Sequence, residues 1–521
     1  MGAVKILDCT LRDGGYVNSW KFGRGVIKDM IHNLVEAGID IVECGFIRNV
    51  EDDADSSVFS SMDKVVDVIE PKAPNVLYAI MIEQRNYNPE RICQCSDKTA
   101  DLIRVTFRRR EWDSAKVVVQ DLMNKGYRVC IQPVGTDTYD TPSLIKLIQE
   151  VNELNPYAFY LVDTLGMMYR DEMRKFFYLI DDNLSKNIFL GFHSHNNLQM
   201  SFANAQEMIR LNRGRTIIID ASCYGMGRGV GNLPTELITD HVNNDIGQKY
   251  SLIPILNIVD KYLMPIYSQQ RWGYALPFFL SATFKCHPNY AAHLIRKETL
   301  SIEKIEKLLS LIPNNKKYEY NADLIEKLYL GMQSFEIDDK DSYLKLNAMV
   351  ENREVLLLGP GSSINKFKTQ INKKAKGSIV ISANFIPEDY QIDALFISNV
   401  KRLGTISIDL PQMIFATSNL KNELSNAVFL NYSTLLGEGD ALDNAGAMLI
   451  RALKKCAVNK IYIAGFDGFE VNATANYAVA KFKTVLDYDM VLKKNVNIAR
   501  QLKLALSGVE YEIITPTKYK I

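Results

Sequence analysis

"VKILDCTLRDGGYVN", residues 4–18, is the stretch on which the fold turns. Its apolar opening reads as a strand, and Arg12, Asp13, Gly14 and Gly15 follow it. A strand feeding a dinucleotide-binding turn would carry a G-x-G-x-x-G run at this point. Here two opposite charges precede a glycine pair instead. In extended backbone, neighbouring side chains face opposite ways, so Arg12 and Asp13 are expected to serve different partners.

Outward from this stretch the pattern repeats. Apolar runs recur as IDIVECGF (39–46), NVLYAIMI (75–82), LIRVTF (102–107), RVCIQPV (128–134), AFYLVDTLG (158–166), IFLGFHSH (188–195) and TIIIDASCYG (216–225). Between them lie segments with apolar residues at helical spacing, such as VIKDMIHNLVEAG (26–38) and SLIKLIQEVNELN (143–155). Apolar strands alternating with helices imply a parallel sheet covered on both faces. Eight such strands within residues 1–245 predict a (β/α)8 TIM barrel rather than an open doubly wound sheet.

Barrel chemistry collects where the strands end. Those ends carry Arg12-Asp13, Glu43, Arg108, Gln132, Thr164, the pair His193 and His195, and the loop from Gly225 to Asn232. An H-x-H pair on a strand puts both rings on one face, which suits a divalent cation with Asp13 as the carboxylate. The alternative is a hydrogen-bonded histidine pair without metal. Arg108, Gln132 and Thr164 are candidates for substrate binding, Arg108 through its bidentate fork. The neighbouring Arg109 and Arg110 read as a solvated charge run.

LDCTLRDGG (7–15), GFHSHNN (191–197) and GMGRGVGNLPTE (225–236) together resemble the DRE-TIM metallolyases. The likeness extends over residues 1 to about 300, and SATFKCHPNYAAH (281–293) makes it most similar to the 4-hydroxy-2-oxovalerate aldolase branch. The resemblance implies a metal held by Asp13, His193, His195 and Asn232, with Mn2+ first and Mg2+, Zn2+ or Co2+ as alternatives. It implies that Arg12 stabilises a pyruvate enolate and that Glu43 is a second-strand acid, which could equally orient Arg12. A 2-oxo acid and an aldehyde are the implied small-molecule partners. The aldolase branch keeps a histidine three residues after the metal-binding aspartate, and this chain has Tyr16 there. A phenol with a pKa of about 10 is a poor base at neutral pH. Tyr16 is therefore either a catalytic group, a substrate-orienting group or a packed aromatic, with Tyr290, His287 or a hydroxide on the metal completing the proton transfer. A Claisen-type synthase using an acyl-CoA and a 2-oxo acid, and a barrel that only binds, are the alternative readings.

Residues 246–345 read as a helical extension able to form a homo-oligomer interface. Residues 350–521 read as a separate Rossmann-like α/β domain, opening on EVLLLGPGSSINKF (354–367). A glycine turn before a helix suits phosphate, which makes Gly359, Gly361 and Ser362 candidates for a nucleotide or sugar nucleotide; the other reading is a tight β-to-α turn. This part is similar to pterin diphosphokinase-like and sialyltransferase-like nucleotide folds, which would suit the making of an unusual sugar or surface polysaccharide.

The bulk numbers set limits on partners. Lys+Arg and Asp+Glu both total 61, so net charge gives no argument for nucleic acid. No apolar run is long enough to span a bilayer. The eight cysteines are scattered and read mostly as buried thiols, with a cytoplasmic location expected.

Overall fold

The structure, a computed structural model, describes residues 2–247, 249–406, 413–437, 443–471, 476–478 and 488–521. Two compact units divide it. The first runs to Asn289 and includes Lys317–Glu319; the second comprises Tyr290–Lys316 and the described residues from Tyr320 onward. The division falls inside the helical stretch expected over 246–345. Helices up to residue 289 pack on the barrel, through Ile255, Ile258 and Leu263 among others.

The first unit is the expected barrel. Its strands are β1 (Val4–Asp8), β2 (Ile41–Ile47), β3 (Leu77–Glu83), β4 (Leu102–Arg108), β5 (Arg128–Val134), β6 (Ala158–Asp163), β7 (Phe189–Ser194) and β8 (Ile217–Ala221). Each pairs in parallel with the next, and β1 pairs with both β2 and β8, which closes the sheet. A two-residue strand, Val58–Phe59, adds to the edge of β2.

Residues of alternate parity divide between two cores. Ile6, Val42, Ile80, Ile103, Ile131, Phe159, Leu190 and Ile219 join the cluster that the surrounding helices cover. Leu7, Ile41, Ala79, Leu102, Cys130, Ala158, Tyr160 and Ile218 fill the barrel interior. The helices supply matching stripes. Arg24–Glu36 buries Ile27, Met30, Ile31 and Leu34, spaced for one helical face, each worth roughly 1.5–3 kcal/mol of burial. Asp140 caps the helix Thr141–Leu154 by accepting the Ser143 N–H.

In the second unit a parallel sheet runs in the order β13-β12-β11-β10-β9-β14-β15. The strands are β9 (Glu354–Leu358), β10 (Ser378–Ala383), β11 (Ala394–Ile397), β12 (Ile414–Thr417), β13 (Val428–Leu430), β14 (Lys460–Ala464) and β15 (Tyr511–Ile513). Helix Ala445–Lys454 is buried along most of its length. Among the described residues, no helix is long and apolar enough to cross a membrane.

Candidate active site at the barrel mouth

The interior parity that carries Leu, Ile and Cys at the barrel floor changes character one step up. Two residues beyond Ile41, Leu102, Cys130, Gly191 and Ile218 come Glu43, Arg104, Gln132, His193 and Asp220. All five are buried. A ring of charge therefore sits directly on an apolar plug, where each member needs a partner.

The ring is continuous. Arg104 donates to Glu43 Oε2 at 2.7 Å and to the Asp220 carboxylate, and its guanidinium lies 4.9 Å from the centre of the Tyr160 ring. Gln132, with its amide oxygen turned to Arg104, accepts from Arg104 Nε at 2.8 Å. Asp220 Oδ2 lies 2.9 Å from His193 Nδ1. Arg12 Nε donates to Glu43 Oε2 at 2.8 Å, and Arg12 Nη1 is 3.2 Å from Asp13 Oδ1. Asp13 Oδ2 closes the circuit 3.6 Å from His193 Nε2. Burial by itself would lower the Arg12 and Arg104 guanidinium pKa values; their paired carboxylates outweigh it and push both up. Burial would likewise raise the Asp13 and Asp220 carboxyls, and Arg12 and Arg104 respectively hold them below the usual carboxylate range.

Arg12 and Asp13 are not in extended backbone. Thr10–Gly14 is a wide helical turn of the π type, in which the Asp13 N–H reaches Cys9 O at 2.8 Å. The turn lets the two side chains touch each other, so the opposite-face expectation fails here. They still serve different ends, because Arg12 also grips Glu43 while Asp13 Oδ2 faces the histidines.

His193 and His195 present the same edge to Asp13. Their Nε2 atoms lie 3.6 and 3.4 Å from Asp13 Oδ2. Their Nδ1 atoms face Asp220 and the Asp163 carbonyl, the latter at 3.4 Å. Such outer contacts fix the tautomer that leaves Nε2 as a lone pair. Asn232 is delivered by the glycine loop, which folds back so that Asn232 bridges to His195 and the Asn196 N–H reaches Gly231 O at 2.9 Å. Gly231 sits at φ +90°, and a Cβ there would lie 1.9 Å from Gly225 O. Asn232 Nδ2 is spent on Met226 O at 3.2 Å, while Asn232 Oδ1 and Asp13 Oδ2 are buried with no hydrogen-bond donor among the described residues. Two orphaned oxygens and two imidazole lone pairs suit a divalent cation. Cys9 Sγ also lies within 4.8 Å of the Asp13 and His193 ligand atoms. Burial pushes the thiol up, and it donates to Ala221 O at 3.2 Å, so Cys9 lines the site as a thiol.

Other expected residues fall elsewhere. Gln132 faces Arg104, so in this arrangement it ties the ring together. Thr164 Oγ1 accepts the Gly135 N–H at 2.8 Å, and Arg108 pairs with Glu319 at the surface. Tyr290 is fully buried in the second unit, where its hydroxyl donates to Lys316 O at 2.9 Å and accepts the Asn321 N–H. The hydroxyl proposed for catalysis is thus engaged within the second unit. Tyr16 is 37% exposed, edge-on to Trp20 at 4.7 Å and Phe46 at 6.4 Å. Lost hydration around its hydroxyl and the charge of Asp13 raise the phenol pKa. Arg228 lies 5.7 Å from the Tyr16 ring centre and 2.8 Å from His287 Nε2. Burial, then Arg228, lower the His287 pKa to about 4, so its imidazole is neutral.

Sequence reasoning passed over Arg104 and Asp220 as site residues. The available signal was parity: a charged residue at the interior position of an otherwise apolar strand.

The comparisons agree with this geometry. Residues 3–246 match the HMGL-like family model. The chain is 22% identical over 237 residues to 4-hydroxy-2-oxovalerate aldolase 6 of Rhodococcus jostii, covering 45% of this chain and 66% of that one. It is 24% identical over 241 residues to an oxaloacetate decarboxylase of Mycobacterium tuberculosis, covering 45% and 68%. The chain thus spans about two thirds of the length of these curated relatives. The N-terminal domain of a candidate aldolase from Bacteroides vulgatus superposes with a TM-score of 0.52 at 26% identity, covering 58% of this chain and 99% of that one. Motifs, closed barrel and family match coincide on one segment, and residues 3–246 are an HMGL-like (DRE-TIM) domain.

Proposed function

We propose that the barrel is a divalent-metal-dependent aldolase that cleaves or forms a 4-hydroxy-2-oxo acid through a pyruvate enolate. The observation that carries this reading is the pairing of two unfilled valences at one place. Among the described residues, Asp13 Oδ2 and Asn232 Oδ1 lack donors and Arg12 Nη2 lacks an acceptor, all three buried at the mouth. The first two suit a cation and the third suits a developing oxyanion. The relatives' names fit one intermediate, since cleaving 4-hydroxy-2-oxovalerate or decarboxylating oxaloacetate each leaves pyruvate enolate.

Asp13, His193, His195 and Asn232 would hold the cation, which when bound supplies Lewis-acid polarisation of a 2-oxo acid. Arg12, fixed by Glu43 and Asp13, directs Nη2 at the oxygen that gains charge as the C3–C4 bond breaks. The bond's electron pair enters the C2–C3 unit, the C4 hydroxyl loses its proton, and C4 departs as an aldehyde carbon. Tyr16, its phenol protonated and partly exposed at the mouth, orients that hydroxyl by hydrogen bonding, and the hydroxyl proton passes to solvent, since His287 spends Nε2 on Arg228 and Nδ1 on the Asn289 N–H.

The test is to incubate Mn2+-loaded protein with pyruvate and a panel of aldehydes and to weigh the products. Condensation products at the mass of pyruvate plus aldehyde are expected, and Asp13→Asn should remove them. No product with any aldehyde, or undiminished product with Asp13→Asn, would overturn the assignment.

A further inference from the structure

The second unit contains a cleft of about 570 Å³ at the carboxyl ends of β9, β10, β11 and β14. Its position follows from the topology. The chain leaves β9 for β10 on one side and returns much later to β14 on the other. Loops after β9 and β14 therefore part in opposite directions, and open α/β sheets bind ligands at such a switch point.

The glycine turn expected to hold phosphate does not offer its amides to the cleft. The Gly359 N–H goes to Ala464 O, the Gly361 N–H to Gly465 O at 2.9 Å, and the Ser363 N–H to Asp467 Oδ2 at 2.7 Å. The Ser363 hydroxyl also reaches the Asp467 carboxylate. Asp467 is a built-in anion at the place a phosphate would take. A Cβ on Gly361 would lie 2.5 Å from the Asp467 carboxylate carbon and from Gly465 O, so this glycine serves close packing of the two turns. The helix after the turn, Ser363–Lys366, is only four residues long.

Binding groups gather elsewhere on the cleft wall. Arg296, Lys297, Arg402, Lys493 and Lys494 line it, against Glu298, Asp443 and Asp467. Those acids are engaged: Asp467 as described, Glu298 by Lys494, and Asp443 by the Tyr329 hydroxyl. Lys297 is likewise spent on Glu326 at 2.7 Å, which leaves Arg296, Arg402 and Lys493 against Asp443 and Asp467, an excess of one positive charge. The buried helix Ala445–Lys454 opens onto the cleft with Asn444, Ala445 and Gly446. Asn444 caps the Ala447 N–H, and the Ala445 and Gly446 N–H groups have no acceptor among the described residues. The positive end of the helix dipole adds to the basic wall. A second wall is aromatic, with Phe466, Phe469, Tyr477 and Tyr519. Phe469 and Tyr477 stand edge to face at 6.0 Å, and Arg402 lies over Tyr477 at 5.1 Å. Asn384, at the end of β10 in the same lining, holds φ +62° and is braced by the Ser398 N–H, a strained position of the kind that clusters at ligand sites.

We propose that this cleft binds a nucleoside phosphate, with its phosphate on the Arg402 and Ala445–Gly446 side and its base against the aromatic wall. The site stands independently of the barrel chemistry. Isothermal titration of the full chain with CMP, UDP, ADP, GDP and inorganic pyrophosphate tests it. At least one nucleotide is expected to bind about tenfold or more tightly than pyrophosphate, a gap of about 1.4 kcal/mol. Arg402→Gln should weaken that nucleotide about tenfold by removing a charge-assisted donor, with an unchanged circular dichroism spectrum. Asp13→Asn in the barrel should leave the affinity as it was. Absence of saturable binding up to about 1 mM for all four nucleotides overturns the proposal. Equal affinity for pyrophosphate overturns the base subsite, and unchanged affinity in a folded Arg402→Gln variant overturns the placement.

Discussion

Arg104 has no exposed surface and carries a full charge, which it can do only because Glu43 and Asp220 are held against it. Each of those carboxylates has a second task. Glu43 aims Arg12, and Asp220 sets the tautomer of His193. Arg104 is therefore the hidden support of both the proposed oxyanion donor and one proposed metal ligand. Arg104→Met, close in volume, leaves Glu43 with Arg12 as its one cation and Asp220 with the His193 ring alone. It should lower stability by about 3–5 kcal/mol, read by urea unfolding, and the folded remainder should bind Mn2+ more weakly. A loss under about 1 kcal/mol would mean that water or Arg12 covers the charges. At this scale the sequence was uneven. Arg12, Asp13, His193 and His195 were legible because their motifs name them. Arg104 was not, since LIRVTF reads as one apolar strand until interior parity is followed from Leu102. The neighbourhood CHPNY gives no sign that the Tyr290 hydroxyl is engaged by Lys316 and Asn321 in the second unit.

The glycine loop shows how an element positions a proposed metal ligand. Residues after β8 turn through Gly225, fold back, and set Asn232 beside His195. The return is possible because Gly231 passes Gly225 O where no Cβ fits. Gly231→Ala should shift Asn232 and cost about 1–3 kcal/mol of strain locally. The expected result is a drop in Mn2+ affinity measured by titration, with the barrel still folded by circular dichroism. Unchanged affinity would mean that Asn232 is not a ligand and that the three-residue set of Asp13, His193 and His195 suffices. The alternation of strands and helices made the barrel and the mouth legible from sequence, because parallel strands buried on both faces leave long apolar runs. The π-type turn at Thr10–Gly14 was not legible: its five residues carry no propensity signal for it.

Over the whole molecule, opposite charges balance, yet the two units do not distribute buried charge alike. The barrel has a second internal ion pair, at its opposite end. Arg215 donates Nε to Asp181 at 2.7 Å and spends its remaining arms on the carbonyls of Asp181, Leu184, Ser185 and Ile188. This ties the end of helix Arg170–Asn183 and the loop after it to the start of β8. Burial would raise the Asp181 carboxyl, and the Arg215 hydrogen bond and charge outweigh it, holding it below its ordinary value. A carboxyl depressed in the folded state stabilises above its unfolded pKa of about 3.9 and loses that contribution as pH falls through the folded value. In Arg215→Met the sign reverses, because Asp181 is then buried with only the exposed Lys186 ammonium, 3.4 Å away, beside it and its pKa rises. The variant should be less stable than the parent at pH 7, on the order of 3 kcal/mol, and the gap should narrow steadily as the medium is acidified and the carboxyl takes its proton. Carboxylates elsewhere titrate in both proteins and cancel from the difference, so the narrowing isolates this pair. Urea unfolding of both proteins from pH 7 down to about pH 4 reads it directly. A gap that stays constant with pH would show that Asp181 ionisation is not coupled to Arg215, and that the arginine acts through the four carbonyls alone.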